Sequence, residues 1–252
     1  METTKKKFTV QTLKNWIFGS GEFGRYSIQA LAITYVVYYF TTVYGISAAA
    51  TGTIVLVARI IGAAWNFIFG ILIDRIKTKQ GKARPFILWM PVVITVVLLC
   101  MYSIPFSDGM AKILWGGVMY TLLTIALGSL SVAYTVLVNL CARTTEDRLA
   151  LGNSRNFFTC ITYIIFNGGM LTFVEMLGKD DPLKGFRYVA MIACGLTIVL
   201  NLIVFLTTKE LPEEQPQEKK SIAKAFIDQI SILGKDTFTL KFVLGYFFYY
   251  IY

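Results

Sequence analysis

The sequence is short of charge. Only 15% of its 252 residues are Asp, Glu, Lys or Arg, against about 25% in an average soluble domain. A soluble protein of this length needs a polar surface layer, and this chain has too few charged residues to build one. Much of its surface must therefore face something other than water, which indicates a lipid bilayer as its surroundings.

Other absences narrow the chemistry. The chain has no histidine, which excludes a His-based metal or acid–base site. Its four cysteines lie in or at the ends of apolar runs without close pairing, and we interpret them as small apolar fillers. Neither a GxxxxGK[ST] loop nor a G-x-S-x-G elbow is present, so ATP-driven transport by this chain and hydrolysis of that kind are unsupported. No cofactor and no enzymatic activity are expected, since a membrane enzyme would need a cluster of reactive groups at one membrane face.

The positive charge is concentrated in the gaps between apolar runs. The net charge is +9, and the segment 70–89, GILIDRIKTKQGKARPFILW, places five cations within ten residues. A nucleic-acid-binding domain would interleave its basic residues with exposed aromatic residues across one face. The pattern here is instead typical of charge flanking a membrane helix, and no nucleic-acid partner is expected.

Six apolar runs are long enough to cross a bilayer as helices, which takes about 20 residues each. We place them at 15–44, 47–76, 85–106, 112–142, 151–177 and 186–208. A seventh run starts near 237 and reaches 252. The sequence therefore predicts an all-α polytopic membrane protein.

The distribution of Lys and Arg predicts the topology. Gaps rich in Lys and Arg alternate with poorer ones, and such residues collect on the cytoplasmic side. The segments 1–14 and 209–236 are both rich in them, so we expect both to be cytoplasmic, in a multi-pass protein of the cell (inner or plasma) membrane. The 209–236 stretch is a polar linker whose second half predicts an amphipathic surface helix. No signal peptide is expected before the first span.

Several short stretches resemble those of a known transporter family. They are FGSGEFGR (18–25), YYFTTVYGIS (38–47), GTIVLVARI (52–60), DRIKTKQGKARPFIL (74–88) and TEDRLALGNSRNFF (145–158). Taken together, they resemble the glycoside–pentoside–hexuronide:cation symporters, the melibiose permease-like branch of the major facilitator superfamily. The resemblance implies the six-helix N-terminal half of a twelve-helix fold plus a truncated seventh helix, with a missing C-terminal half as partner. It also implies secondary active transport of a sugar or glycoside by alternating access, with the substrate near the bilayer midplane between the halves.

Candidate substrate-binding residues lie inside the first two spans. Arg25 and Tyr26 follow Glu22 by three and four residues and share its helix face, with Gln29 one turn further on. This face offers an aromatic ring and the donors and acceptors that a sugar needs, although Glu22 and Arg25 could simply neutralise each other. Arg59 lies in the middle of span two, where a charge costs about 2.5–3.5 kcal/mol. It should therefore face a polar cavity, or clamp backbone carbonyls or a glutamate such as Glu22.

Further candidates lie in spans two, four and five. Arg155 is in the first turns of span five, and the resemblance implies a place beside the sugar pocket. The alternative is a cation whose side chain reaches back to the cytoplasmic surface. Asn66, Ser131 and Thr135 are polar residues inside spans two and four. They are candidates for the pocket, although such residues often form hydrogen bonds between helices instead.

The sequence departs from the family where a coupling cation is expected to bind. The family carries aspartates on helices one, two and four, and the matching residues here are Tyr26, Gly62, Asn66 and Ser131. Coupling to Na⁺ or H⁺ therefore stays open, because its usual acidic ligands are absent and only Glu22 remains near the cavity. Three cavity arginines would then face one acid, and unpaired buried cations are costly. The pattern favours an anionic sugar such as a hexuronide, unless acids from the other half neutralise the arginines.

The basic loop has a second interpretation besides topology. Asp74, Arg75, Lys82 and Arg84 occupy the position of the superfamily's signature loop, where the resemblance implies a cytoplasmic gate between the two halves. The alternative is that the charges only set the orientation. A different function is also kept open, namely a non-transporting or degenerate membrane paralogue that acts as a sensor.

Overall fold

Helices account for almost all of the chain that the structure describes. The computed structural model describes residues 2–211 except 77, 104, 107, 108 and 180, together with residue 241. In chain order the elements are α1 (Glu2–Gln29), π1 (Ala30–Thr34), α2 (Val36–Tyr38), π2 (Tyr39–Val43), α3 (Ala48–Ile73), α4 (Arg84–Tyr102), α5 (Met110–Cys141), α6 (Thr145–Thr162), π3 (Tyr163–Asn167), α7 (Gly168–Gly178) and α8 (Pro182–Thr207), where π marks a π-helical turn. Within these ranges the β pairing recorded is one isolated bridge, Thr78 to Gly81. The predicted all-α fold is confirmed.

Five helical segments are long and apolar enough to cross a membrane. They are Ala48–Ile73, Arg84–Tyr102, Met110–Cys141, Thr145–Gly178 and Pro182–Thr207. These segments correspond to predicted spans two to six, with ends that differ by between one and six residues. The chain is therefore a multi-pass membrane protein.

The first predicted span, 15–44, is helical but interrupted. Helix α1 begins at Glu2, well before that span, so the predicted N-terminal segment 1–14 is itself largely helical. The chain then bends at Tyr35, between π1 and α2, and a second π-helical turn follows before Tyr44. Both turns use wider hydrogen bonds, such as Tyr44 N–H to the Tyr39 carbonyl at 2.7 Å. No unbroken apolar helix covers 15–44 as predicted, because these turns divide it.

Side-chain caps mark where three of the helices begin. Ser47 accepts a hydrogen bond from the Ala50 N–H at 3.3 Å before α3. Thr144 and Asp181 do the same before α6 and α8. A polar side chain at this position satisfies a backbone donor that the first helical turn leaves unpaired. The short polar gaps therefore set the helix starts.

Each of α1, α4, α5 and α8 packs against at least two other helices. Helix α1 packs against α6 and α8, α3 packs against α5, and α4 packs against both α5 and α8. Helix α7 packs against α8. The buried core lies where these helices pack against one another. On α3, by contrast, Leu56 and Ile60 are about 60% exposed. Many large apolar side chains are exposed in this way, as expected when lipid or another apolar surface covers them.

Two predicted segments lie mostly outside the described residues. Of the predicted linker 209–236 the structure describes 209–211, and of the predicted seventh span it describes residue 241. The predicted amphipathic helix and seventh span therefore stay predictions.

Candidate functional site

Glycines on α1 let this helix come very close to its neighbours. A Cβ atom added at Gly19 would lie 2.7 Å from Ser154 on α6, and one added at Gly24 would lie 2.6 Å from the Thr197 backbone on α8. A Cβ at Gly21 would overlap the hydroxyl of Tyr134 on α5. The FGSGEFGR stretch thus places the polar residues of α1 where α5, α6 and α8 meet.

Glu22 occupies this junction between two arginines. Its Oε2 accepts a hydrogen bond from Arg25 Nε at 2.5 Å, and its Oε1 accepts one from Arg155 Nε at 2.7 Å. A second Arg155 nitrogen lies 2.5 Å from the same Oε1, so this pair binds through two donors. The exposed fraction of the side chain is 1% for Glu22, 5% for Arg25 and 19% for Arg155. Of the three, only Arg155 is therefore partly exposed, and the side of the junction on which its exposed part lies is called the open side below. One carboxylate and two guanidinium groups leave one excess positive charge there.

The residues predicted to share a polar face of α1 contact one another, as their spacing of three and four residues predicts. Arg25 Nη1 donates to Gln29 Oε1 at 2.8 Å, and the Arg25 guanidinium lies 4.0 Å from the centre of the Tyr26 ring. The Tyr26 ring in turn contacts Tyr163 on π3, with centroids 5.5 Å apart. Tyr26 and Gln29 remain half-buried. The ring and the amide can therefore still meet a ligand from the open side.

A set of buried residues that the sequence reading missed lies behind Arg155. The Arg155 guanidinium carbon is 5.5 Å from the centre of the Tyr134 ring. The Tyr134 hydroxyl donates to Asn201 Oδ1 at 2.8 Å, and Asn201 Nδ2 donates to the Thr197 carbonyl at 2.8 Å. Thr197 Oγ1 donates to the Gly24 carbonyl, so this series of hydrogen bonds connects α5 and α8 to α1. In the sequence, the signal that could have indicated these contacts was Asn201, an asparagine within the apolar run of α8.

Arg59 and Asn66 on α3 lie apart from the Glu22 junction. Arg59 is exposed, and its electrostatic neighbour is the hydroxyl of Tyr120 on α5. The alternative in which Arg59 clamps Glu22 is not what the structure shows, since Glu22 is bound to Arg25 and Arg155. Asn66 is half-buried and packs so closely on α5 that a Cβ at Gly128 would overlap its amide.

Ser131 and Thr135 lie one turn apart on α5. Ser131 is half-buried, Thr135 is exposed, and the Thr135 hydroxyl donates to the Ser131 carbonyl at 3.1 Å. This bond lies within one helix, so in this structure Thr135 does not use its hydroxyl to join two helices. The substrate-binding roles of these residues stay predictions.

The predicted gate residues lie around the turn between α3 and α4. Asp74 ends α3 and is exposed, as is Arg75, whereas Lys82 is half-buried. Arg84 is held within this half: Nη2 donates to the Phe205 carbonyl at 2.8 Å, and the guanidinium lies 4.6 Å from the centre of the Phe205 ring. Arg84 thus joins the start of α4 to the end of α8, and a gating role stays a prediction.

Glu210 is a further residue of this loop that the sequence reading did not single out. Its carboxylate accepts backbone hydrogen bonds from Lys82, Ala83 and Arg84 at 2.7, 2.9 and 2.9 Å. These are the unpaired donors at the beginning of α4, which favour a negative charge. A cleft of 480 Å³ lies beside this contact, lined by Lys79, Lys82 and Lys209 among others. The start of the predicted linker is therefore fastened to the basic loop.

The junction around Glu22 has the chemistry to bind a polar, uncharged or anionic molecule. It offers the partly exposed guanidinium of Arg155 on α6, and the half-buried amide of Gln29 and ring of Tyr26 on α1. Among the described residues no group of three or more His, Cys, Asp or Glu residues could hold a metal ion. The arrangement favours recognition by hydrogen bonds and charge.

Residues 17–251 match the family described as MFS/sugar transport protein. The chain is 32% identical over 196 residues to the isoprimeverose transporter of Lactiplantibacillus pentosus, covering 77% of this chain and 40% of the relative. It is 26% identical over 199 residues to the inner membrane symporter YicJ of Escherichia coli K12, covering 79% and 43% of the two. The glucuronide carrier protein homolog of the same organism is 26% identical over 190 residues, with 72% and 40% covered. The chain thus spans less than half the length of these three curated relatives.

Proposed function

Because the chain belongs to the MFS/sugar transport protein family, we propose that it forms part of a secondary transporter that moves a sugar or glycoside by alternating access. The observation that carries this proposal is the buried Glu22–Arg25–Arg155 cluster, in which the Arg155 side chain remains partly exposed. A sugar has many hydroxyl groups, and guanidinium, amide and tyrosine groups suit them. The relatives' names, two transporters or carriers of sugars and one symporter, support the same class.

The two other classes are less well supported. A sensor-like paralogue finds no support among these relatives, which are named as transporters, carriers and symporters. An enzyme finds none either, because the family is one of transport proteins. Transport is therefore the function that we carry forward.

The described helices would form one wall of the pocket. The partly exposed groups of Tyr26, Gln29 and Arg155 point away from the packed interior, and Thr135 and Arg59 are exposed on neighbouring helices. In carriers built from two repeats, the substrate binds between them near the midplane. We expect a second set of helices in the complete carrier to cover this wall. Reconstituted vesicles with the complete carrier should show saturable sugar uptake, and the 252-residue chain alone should show none.

The excess positive charge favours an anionic sugar, such as a hexuronide. The junction carries two guanidinium groups for one carboxylate, and Arg59 adds a third cation on α3. A carboxylate on the substrate would pair with the accessible side of Arg155, and arginine binds carboxylates with two parallel hydrogen bonds. Charge-assisted bonds contribute about 1.5–3 kcal/mol, so a glucuronide should bind at least about tenfold tighter than the matching neutral glucoside.

A binding titration on the complete carrier tests this preference. The glucuronide and the glucoside would be compared on the wild type, on Arg155→Gln and on Arg59→Gln, with the exposed Arg148→Gln as control. We expect Arg155→Gln to lose the preference for the glucuronide, Arg59→Gln to lose less of it because Arg59 lies apart from the Glu22 junction, and the control to keep it. Equal affinity for the two sugars in the wild type would refute the anionic preference, whereas binding of neither would refute the transport proposal.

We expect the N-terminus to be cytoplasmic and the protein to lie in the cell membrane. Ser47 caps the start of α3 and Gln80 lies beyond its end, so 26 helical residues, about 39 Å, separate two exposed positions. Cysteines introduced at Ser47 and at Gln80 should react with an impermeant thiol reagent from opposite sides of the membrane, Ser47 from outside. Reaction from the same side would exclude this topology.

The described half is poorly equipped to bind a coupling cation. Gly62 has no side-chain oxygen, and its Cβ position lies 2.7 Å from Thr124 Cγ2, so α5 fills the space there. Tyr26 lies under the Arg25 guanidinium, whose charge would repel a cation. Asn66 offers one neutral oxygen, whereas hard cations take several oxygen ligands. Coupling to Na⁺ or H⁺ therefore stays open for the complete carrier. Initial uptake measured with and without an imposed Na⁺ or proton gradient decides it: acceleration by one gradient identifies the coupling ion, and equal rates exclude coupling to either.

A further inference from the structure

The buried residues behind Arg155 form a continuous support for it. Arg155 reaches Glu22 with one edge of its guanidinium, and the group's carbon lies 5.5 Å from the centre of the Tyr134 ring. Cations within about 6 Å of an aromatic centre are attracted to its face. Tyr134 is fully buried, so it does not reach the open side itself.

The Tyr134 ring is itself held from three directions. Its hydroxyl donates to Asn201 Oδ1 at 2.8 Å on α8. Phe18 forms a T-shaped contact with the ring at 5.7 Å between centroids, and the hydroxyl lies so close to Gly21 of α1 that an added Cβ would overlap it. Because Tyr134 lies on α5 and Asn201 on α8, the ring's position is set by helices that do not carry Arg155.

We propose that Tyr134 is a positioning residue whose ring sets the Arg155 guanidinium for substrate. This inference rests on the transport proposal above and deepens it. Glu22 fixes one edge of Arg155, and the Tyr134 ring limits how far the group can swing. The exposed 19% of the side chain is then presented to the pocket in one orientation. Preorganisation of this kind raises affinity because less side-chain freedom is lost on binding.

The test distinguishes the contribution of the Tyr134 ring from that of its hydroxyl. Tyr134→Phe keeps the aromatic face, and Tyr134→Leu removes it. A cation–π contact contributes about 0.5–2 kcal/mol, so we expect Tyr134→Leu to weaken sugar binding by roughly 2- to 30-fold. Tyr134→Phe should change affinity by less than about twofold, since the ring is retained. Tyr102→Leu is the matched control, because Tyr102 is equally buried and its ring packs on Tyr39 and Phe186.

A double-variant comparison excludes a merely structural role. If Tyr134 acts through Arg155, Tyr134→Leu should have no further effect on affinity in an Arg155→Gln background. A lower melting temperature with unchanged affinity of the folded carrier would overturn the proposal, as would equal weakening by Tyr102→Leu.

A second readout does not depend on sugar binding. Phenylglyoxal modifies accessible arginines, and mass spectrometry reports the rate for each residue. Arg155 should react faster in Tyr134→Leu than in the wild type or in Tyr102→Leu, with Arg25 as internal reference. If no sugar binds the wild type, the transport proposal fails and this rate alone decides whether Tyr134 positions Arg155. An unchanged rate would overturn the positioning role.

Discussion

Replacing Glu22 by glutamine should strongly destabilise the protein. Glu22 is 1% exposed and is the shared acceptor for Arg25 and Arg155. Glutamine has nearly the same shape, but it carries no charge and can accept at only one oxygen. The variant would leave two guanidinium groups near the protein interior with no opposing charge.

The exposures of the two arginines set the size of the effect. Breaking a buried ion pair by removing one partner costs about 3–5 kcal/mol. Arg25, at 5% exposed, cannot reach solvent, although Gln29 still accepts one of its hydrogen bonds. Arg155, at 19% exposed, can turn towards the open side, which lowers its share of the cost. We therefore expect a loss of about 3 kcal/mol, or roughly 6–12 °C in melting temperature for a chain of this size.

Thermal unfolding in detergent, followed by size-exclusion chromatography of the heated samples, measures this shift. Glu175→Gln is the matched control, because Glu175 is exposed on α7. The double variant Glu22→Gln, Arg25→Gln should recover part of the loss, since it removes the more buried unpaired cation. A shift below about 2 °C for Glu22→Gln, or one equal to that of the control, would refute the reasoning.

Three further substitutions test other contacts by the same unfolding measurement. Gly21→Ala should destabilise the protein by about 1–3 kcal/mol, because the added Cβ would overlap the hydroxyl of Tyr134. The control Gly52→Ala, whose Cβ would have no atom within 4 Å, should be neutral or stabilising. Equal effects of the two substitutions would contradict this packing. Tyr134→Phe should cost about 1–3 kcal/mol because it leaves a buried amide oxygen on α8 without its donor, whereas Tyr102→Phe should not destabilise, since that hydroxyl has no hydrogen-bond partner among the described atoms. Glu210→Ala should cost about 1–3 kcal/mol, because three backbone donors at the start of α4 lose their acceptor; an unchanged melting temperature would show that this contact does not hold the loop.

The apolar runs were readable from the sequence because membrane crossing is a local requirement. Each span must satisfy its own backbone hydrogen bonds and must be long enough for the bilayer, so composition and length are enough to locate it. Five predicted spans correspond to helical segments that meet these criteria. The division of 15–44 by two π-helical turns was not predictable in this way. Tyr35, which directly follows the first of these turns, donates a hydrogen bond from its hydroxyl to the Asn167 carbonyl of π3, across 132 residues.

The contacts within α1 were likewise accessible from spacing. Residues three and four apart share a helix face, so the neighbours Glu22, Arg25 and Gln29 followed once a helix was expected. The roles of Arg59, Asn66, Ser131 and Thr135 in binding stay predictions. Their positions are fixed by the helices that carry them.

By itself the sequence determined that this chain is a bundle of membrane helices and which polar residues share a face of one helix. Both follow from interactions between residues close in the chain. Only the tertiary structure decided that Glu22 is shared with Arg155, that Tyr134 and Asn201 lie behind that arginine, and that Glu210 caps α4. Glu22 and Arg155 are 133 residues apart in the chain, and Tyr134 and Asn201 are 67 apart. Glu210 lies 127 residues after Ala83, from whose N–H it accepts a hydrogen bond at the start of α4. Such contacts depend on how closely the helices approach one another, and the α1 glycines allow that approach only once the neighbouring helices are in place.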